Sequence, residues 1–229
     1  MRLLAVYACR VWWRSRETGG ASVIRVISEC RQSKHIMKVI GVVGMNGSGK
    51  DEVVKYLHQR YGVPLISVGD IVREIASREN VQPTRENLDK ITKRHFDQYG
   101  EGYFLKLVVE KIRQNQWKTA GISGIRSPQD IRIIRDAFGD DFVLVHVYIT
   151  DPRVRLERIL QRGSQRDRLS YDEFLQQDRV SEELFHIQEA ISQANYSIPN
   201  DGALEDLHRE IEKLVREKNI LDFKQKQEK

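Results

Sequence analysis

The stretch Gly44-Met45-Asn46-Gly47-Ser48-Gly49-Lys50-Asp51 decides the fold of this chain. It follows an apolar run at residues 39–43 and opens an amphipathic segment at residues 52–59. A strand, a glycine loop and a helix in that order form a P-loop, in which backbone N–H groups converge on one anion. The helix N-terminus adds a partial positive charge. The stretch therefore predicts a site for the phosphates of ATP, and all eight of its residues are candidates to bind them.

Two side chains of this loop are candidates for catalysis. Lys50 is expected to reach the terminal phosphates as a mobile point charge. Asp51 stands where the usual pattern has the Ser or Thr that binds magnesium. The loop therefore departs from the pattern at its last position.

Length and composition indicate one α/β domain with a sizeable core, since the chain has 229 residues and 40% of them are hydrophobic. The formal net charge of +5 arises in residues 1–36, where Lys and Arg outnumber Glu, and the rest of the chain is balanced. We therefore expect no nucleic-acid partner for the folded part. We expect no membrane partner either, because no stretch is long and apolar enough to span a bilayer.

Residues 1–36 differ from the rest of the sequence. They contain both cysteines and lack a sustained period, and Met37 follows them directly before the first predicted strand. Three interpretations are open: upstream sequence translated from a wrongly chosen start, which we favour; a basic targeting segment; or an amphipathic arm. Two cysteines outside the core indicate no disulfide framework. We expect a cytoplasmic protein with its domain at residues 37–222 and a charged tail at 223–229.

Strands alternate with helices along the domain. This alternation predicts a parallel sheet covered on both faces, that is, a three-layer α/β sandwich with five strands. Thr84 and Ser127 are predicted helix caps, and Pro128 lies in the first turn of its helix. The predicted strands cover residues 39–43, 65–68, 118–122, 142–149 and 196–198. The predicted helices include residues 71 to about 78, 103–114, 170–190 and 202 to about 218.

The segment after the second predicted strand carries a resemblance. Gly69-Asp70 is followed by Arg73, and in this the sequence resembles the nucleoside monophosphate kinases. The resemblance implies that Arg73 holds the phosphate of the acceptor, a role that suits the paired donors of a guanidinium. Asp70 is a candidate to orient the acceptor or to serve the metal. The family also implies acceptor-binding helices at about residues 70–115.

The third predicted strand ends in Ser123-Gly124-Ile125-Arg126. The same kinases place Asp-Gly and then Arg here, so the resemblance implies that Arg126 contacts the acceptor phosphate during catalysis. Ser123 occupies the place of the aspartate, so Asp51 and Ser123 exchange the usual hydroxyl and carboxylate. Mg²⁺ takes only one or two carboxylates and keeps several waters. Asp51 and Ser123 are therefore the predicted metal ligands; the alternative is weakened metal binding and turnover.

A run of arginines follows the fourth predicted strand and resembles the lid of these kinases, where arginines close over the triphosphate. We place the lid at about residues 162–170, with Arg158 as a catalytic residue and Arg162 as an ATP ligand. The alternative is a solvated charged face. The run consists of Arg153, Arg155, Arg158, Arg162, Arg166 and Arg168.

The segment at residues 194–202 is similar to the carboxyl-terminal signature of dephospho-CoA kinases. It implies contacts to adenine from Asn200 and the residues after it. The P-loop, Val-Gly-Asp-Ile-Val-Arg-Glu at residues 68–74 and Gly-Ile-Arg-Ser at residues 124–127 resemble an uncharacterised, largely archaeal family of P-loop kinase-like proteins, and this resemblance covers about residues 37–218. The resemblance implies a phosphotransferase that uses ATP and Mg²⁺ on a small acceptor, most simply a nucleoside monophosphate. Alternatives are dephospho-CoA kinase and a nucleotide-binding switch that hydrolyses ATP slowly.

Overall fold

Strands and helices alternate through residues 38–161, 170–217 and 220–221, which are the residues described by the structure, a computed structural model. The strands are β1 (Lys38–Val43), β2 (Leu65–Ser67), β3 (Thr119–Ser123), β4 (Phe142–Tyr148) and β5 (Tyr196–Pro199). The helices are α1 (Lys50–Tyr61), α2 (Val68–Arg78), α3 (Arg85–Tyr99), α4 (Tyr103–Gln114), α5 (Pro128–Phe138), α6 (Pro152–Gln161), α7 (Tyr171–Phe185), α8 (Ile187–Ser192) and α9 (Leu204–Glu217). Within these ranges, no helix has the length and apolar character needed to cross a membrane.

Some predicted segments fall outside that description. They are the extension at residues 1–36, all of the predicted lid except its last residue (162–169) and the tail at 223–229. The predictions for these segments stay predictions.

The five strands form one parallel sheet of order β2-β3-β1-β4-β5. β1 is central: Val42 lies opposite Ser123 of β3, and Val43 lies opposite His146 of β4. Because the strands are parallel, their carboxyl ends meet at one edge, where open α/β sheets bind ligands. The predicted five-stranded parallel sheet is confirmed, and the P-loop lies at that edge.

Side chains of β1 alternate between two apolar cores, one on each face of the sheet. Val39 and Val43 pack against residues of α4 and α5, whereas Ile40 and Val42 pack against residues of α1 and α9. This period of two is the pattern of a strand buried on both faces. The predicted three-layer sandwich is therefore confirmed.

Helices α2, α3 and α4 form a smaller apolar cluster of their own, which contains Val72, Ala76, Ile91 and Phe104. They occupy the region predicted to bind the acceptor. α2 begins at Val68, three residues before the predicted start and directly after β2, and Val68 packs against both this cluster and the core beside α5. As a result, Asp70 lies in the first turn of a helix.

The predicted caps are confirmed, and one predicted helix is interrupted. The Thr84 hydroxyl accepts a hydrogen bond from the Asn87 amide at 3.3 Å, and Ser127 forms a capping box with Asp130. The helix predicted at residues 170–190 divides at His186, whose φ of 50° is left-handed. That conformation ends α7 at Phe185, and α8 begins at Ile187.

Candidate nucleotide and acceptor site

Two glycines of the P-loop adopt backbones that other residues rarely adopt. Gly47 has φ +82° and Gly49 has φ +94°, both in the left-handed region. Each glycine also lies against another segment: a Cβ at Gly47 would come within 2.7 Å of the Arg155 carbonyl oxygen, and one at Gly49 would collide with the side-chain nitrogen of Asn200. The loop is therefore packed closely against α6 and the segment after β5.

The start of α1 has the chemistry of an anion site. Gly49 is the N-cap of α1, and among the described residues no side chain caps the helix. The first amides of a helix have no partner within it, and its partial positive charge favours an anion. The Ser48 hydroxyl is buried and lacks a hydrogen-bond partner among the described residues. These groups fit a chain of phosphates, with Lys50 as the counter-charge.

Two buried side chains fix the peptide planes of the loop. The side-chain nitrogen of Asn200 donates to the Ser48 carbonyl at 2.8 Å, and the Arg155 guanidinium donates to the Asn46 carbonyl at 3.1 Å. In a planar trans peptide, the C=O and the following N–H point in opposite directions. The amide that follows each anchored carbonyl belongs to a loop glycine, so it points away from the anchor. The amides of Gly47 and Gly49 are thus left to donate to an anion, as an anion-binding loop requires.

This result changes the interpretation of Asn200. The resemblance implied that the residue contacts adenine, but its side chain is buried, at 5% exposure, and its side-chain nitrogen is used on the P-loop. Its main-chain amide donates to the Tyr148 carbonyl at 2.8 Å. Asn200 therefore holds the P-loop in place. A backbone contact from this segment to adenine stays a prediction.

Arg155 is a second anchor of the loop, one that the sequence pattern did not separate from the neighbouring arginines. Its side chain is 7% exposed and donates to the Asp178 carboxylate on α7 at 2.6 Å. Its guanidinium also lies 4.8 Å from the centre of the Phe174 ring, within the range of cation–π contacts. One buried cation thus joins the P-loop, α6 and α7.

Arg158 and Arg162, the two arginines predicted to act over the triphosphate, differ from Arg155. Arg158 donates to the carbonyl of Gly202 at 2.9 Å and is partly exposed, so in this structure it contacts the segment after β5. Arg162 lies outside the described residues. Their roles over the triphosphate stay predictions.

We predict that Arg155→Met lowers both stability and ATP affinity, and that the two effects can be separated. The variant leaves the largely buried Asp178 carboxylate, 15% exposed, without its cation, and the loss of one partner from a fully buried pair typically costs about 3 kcal/mol or more. The double variant Arg155→Met/Asp178→Leu removes that charge and should recover most of the melting temperature. It should not recover ATP affinity, because the Asn46 carbonyl stays unanchored.

Thermal melting and ATP titration calorimetry measure the two effects. Arg153→Met is the matched control, since Arg153 is exposed on the same helix. Full ATP affinity in the double variant would show that the Arg155 contact does not shape the loop.

A cavity of about 180 Å³ lies beside the P-loop. It brings together Lys50, Asp51, Arg73 and Arg126, which the sequence assigned to phosphate, metal or acceptor binding. Phe185, at the end of α7, also lines it. Besides Arg73, the walls from α2, α3 and α4 consist of Val68, Gly69, Val72, Leu88, Asp89, Thr92, Phe96, Phe104 and Leu105.

Asp70 contributes to this cavity through Arg73. The lining that the described residues form includes Arg73 and not Asp70. The Nε group of Arg73 donates to the Asp70 carboxylate at 3.2 Å. Both side chains are substantially exposed, so this pair adds little stability. Its effect is to restrict the direction of the guanidinium.

Arg126 is positioned from two sides by residues that the sequence analysis did not select for the site. Its amide donates to the Asp130 carboxylate at 2.9 Å, and its guanidinium lies 5.3 Å from the centre of the Phe185 ring. Burial raises the pKa of the Asp130 carboxyl, while hydrogen bonds from the amides of Arg126 and Ser127 oppose that rise. Asp130 could have been found as the partner of the Ser127 cap, whereas Phe185 carries no sequence signal.

The two predicted metal ligands occupy different surroundings. Asp51 is exposed in the first turn of α1 and lines the cavity, whereas Ser123 ends β3 and is 2% exposed. In the described part of the chain, no group of three or more His, Cys, Asp and Glu side chains could hold a metal. A single carboxylate suits Mg²⁺ that is also bound by phosphates and water. Asp51 fits that requirement, and the exchange with Ser123 stays a prediction.

The fold and the site together define a P-loop protein with a kinase-like fold. The AAA domain family model matches residues 43–174. The solved structure of shikimate kinase from Acinetobacter baumannii in complex with shikimate has a TM-score of 0.50 and 19% identity, covering 81% of this chain and 96% of that chain. A gluconokinase from Sinorhizobium meliloti has a TM-score of 0.51 and 16% identity, covering 80% of this chain and 97% of that chain. These likenesses show the fold.

The chain belongs to the UPF0200 family. The UPF0200 protein of Thermococcus onnurineus is 37% identical over 180 residues, which are 77% of this chain and 96% of the relative. The UPF0200 protein of Pyrococcus horikoshii is 37% identical over 181 residues, which are 77% of this chain and 95% of the relative. The predicted resemblance to a largely archaeal family of P-loop kinase-like proteins is confirmed.

Proposed function

We propose that this protein is a phosphotransferase that moves the γ-phosphoryl group of ATP to a nucleoside monophosphate. The observation that carries the proposal is the shared cavity: Lys50 and Asp51 of the P-loop line it together with Arg73 and Arg126. A guanidinium binds two phosphate oxygens at once, so two arginines facing a P-loop suit an acceptor with a phosphate group.

The residues would act by positioning and by neutralising charge. ATP with Mg²⁺ supplies the transferable group and partly neutralised phosphates. Lys50 would bind the terminal phosphates, and Asp51 would hold the ion. Arg73, restricted by Asp70, and Arg126 would hold the acceptor phosphate in the same cavity. Holding both reactants in one orientation is the main source of rate in such reactions.

One rival is dephospho-CoA kinase, which the segment at residues 194–202 favours. This segment contacts the P-loop through Asn200, an arrangement compatible with either acceptor. Two of the similar solved structures are named shikimate kinase and gluconokinase. Shikimate and gluconate are therefore included in the test. A slow nucleotide-binding switch explains the P-loop but gives no reason for two arginines in the adjoining cavity.

The direct test measures ADP release from MgATP with one candidate acceptor at a time. The acceptors are AMP, GMP, CMP, UMP, dephospho-CoA, shikimate and gluconate. We expect at least one nucleoside monophosphate to raise ADP release by about tenfold or more over ATP alone, because binding orients its phosphate for transfer. Arg126→Lys keeps the charge but loses the paired donors, so it should lose most of this stimulation and retain ATP binding. If none of the acceptors raises ADP release above that with ATP alone, the result would favour a nucleotide-binding switch.

A further inference from the structure

We propose that the acceptor is a guanine nucleotide, whose base presents two adjacent N–H donors. This inference rests on the proposed function and names its substrate more closely. The observation behind it is the part of the cavity wall that α3 forms. This wall is separate from the P-loop and from Arg73 and Arg126.

The α3 wall offers hydrogen-bond acceptors. The Thr92 hydroxyl donates its proton to the Leu88 carbonyl at 2.8 Å, so toward a ligand it presents only lone pairs. Asp89, as an ionised carboxylate, also accepts only. The other side chains that α3 contributes to the described lining, Leu88 and Phe96, are apolar. A ligand group placed against this wall must therefore bring donors.

The rest of the cavity suits a flat ring with an anionic group attached. Phe96 and Phe104 both line it, with ring centres 5.9 Å apart and planes inclined by 51°, and Phe104 is almost fully buried. Aromatic walls with a few placed polar groups are typical of sites for planar ligands. Helix α2 contributes Arg73 and the segment after β3 contributes Arg126, and both match a phosphate.

Among the common bases, guanine fits this wall best. Its N1–H and 2-amino groups are adjacent donors that can bind the two oxygens of one carboxylate, here Asp89. Adenine and cytosine place a ring-nitrogen acceptor beside their amino group, and uracil has a carbonyl on each side of its N–H. The ring nitrogens of adenine and cytosine and the carbonyls of uracil are acceptors, so they would find no donor on this wall. A site built to hydrogen-bond its ligand strongly rejects a ligand that leaves such groups unpaired.

The reaction then balances as a simple transfer. The bond between the γ-phosphorus of ATP and the oxygen that bridges to the β-phosphate breaks, and its electron pair stays on ADP. A phosphate oxygen of GMP forms the new bond to that phosphorus, which gives GDP. No oxidant, reductant or further reactant is needed.

The test compares kcat/KM for GMP, IMP, AMP, CMP and UMP at saturating MgATP. We expect GMP to exceed AMP, CMP and UMP by about tenfold or more. IMP keeps the N1–H but lacks the 2-amino group, so it should lie between them. Asp89→Asn, which adds donors to the wall, should lower the preference for GMP over AMP by about tenfold and leave the KM for ATP unchanged. Asp97→Asn is the matched control, because Asp97 lies on α3 outside this lining.

The outcomes separate this inference from the proposed function. Turnover of another nucleoside monophosphate in preference to GMP would overturn the guanine inference and leave the proposed kinase standing. An unchanged GMP preference in Asp89→Asn would overturn the role of the α3 wall. Turnover with no nucleoside monophosphate would overturn the proposed acceptor and this inference together. If Asp89→Asn fails to fold by thermal melting, the ranking of bases by the unaltered protein still decides the matter.

Discussion

Replacing Lys50 with alanine should reduce kcat/KM for ATP by about 10²- to 10³-fold, the loss usually seen when one group that stabilises transferring charge is removed. Lys50 opens α1 directly after the glycine loop, and it lines the cavity that contains Arg73 and Arg126. Its removal takes a positive charge from the terminal phosphates and leaves the packing of the core intact. The melting temperature without nucleotide should therefore change little.

ADP release and ATP titration calorimetry measure this effect, and Lys55→Ala provides the control. Lys55 lies on the same helix, is 57% exposed and pairs only with Glu52 among the ion pairs of the described residues. It should behave like the unaltered protein. Equal ATP affinity in Lys50→Ala and Lys55→Ala would mean that the loop does not bind the triphosphate.

The second large effect is expected at Asp51. Asp51→Ala should raise the magnesium concentration for half-maximal turnover by at least about tenfold, since even groups that only orient a metal ligand cost 10- to 100-fold when removed. Ser123→Ala should have a small effect, because a hydroxyl would bind the ion only through water. Glu52→Gln is the control for the loss of one negative charge in the same helical turn. A magnesium titration of ADP release distinguishes these variants.

The double variant Asp51→Ser/Ser123→Asp tests whether the two positions share one ion. It restores the usual order of hydroxyl and carboxylate, so it should retain more activity than Asp51→Ser alone. Residues that share a partner are not additive in this way. Because Ser123 is 2% exposed, Ser123→Asp alone places a carboxylate in a buried position and should lower stability. Strictly additive losses would assign the metal carboxylate elsewhere, with Asp70 as the next candidate.

Structural features that depend on residues close together in the chain could be predicted from the sequence. The P-loop follows from glycines whose backbones need left-handed φ, and the caps at Thr84 and Ser127 follow from side chains that bond to amides three residues on. The order of strands and helices implied a parallel sheet because apolar runs alternate with helical periods. These features are local, so a single sequence contains them.

Contacts between distant residues could not be predicted in the same way. Arg155 and Arg158 occupy similar positions in one helical run, yet one is buried against Asp178 and the other is partly exposed near Gly202. Asn200 holds the Ser48 carbonyl from far along the chain. No spacing rule distinguishes such an anchor from a residue that contacts the base. The same holds for Phe185 over Arg126, which depends on where α7 ends.

The central position of β1 has a consequence for synthesis on the ribosome. β1 leaves the ribosome before either of its neighbours, β3 and β4, and the Asn200 anchor for its loop follows β5. An apolar strand therefore waits without partners through much of translation, a situation that favours slow folding and association between chains. On the function proposed above, ATP binds the loop once Asn200 and Arg155 hold it, and a ligand adds stability to the state that binds it. ATP in the cell would thus protect finished molecules and leave nascent or truncated ones to chaperones and proteases.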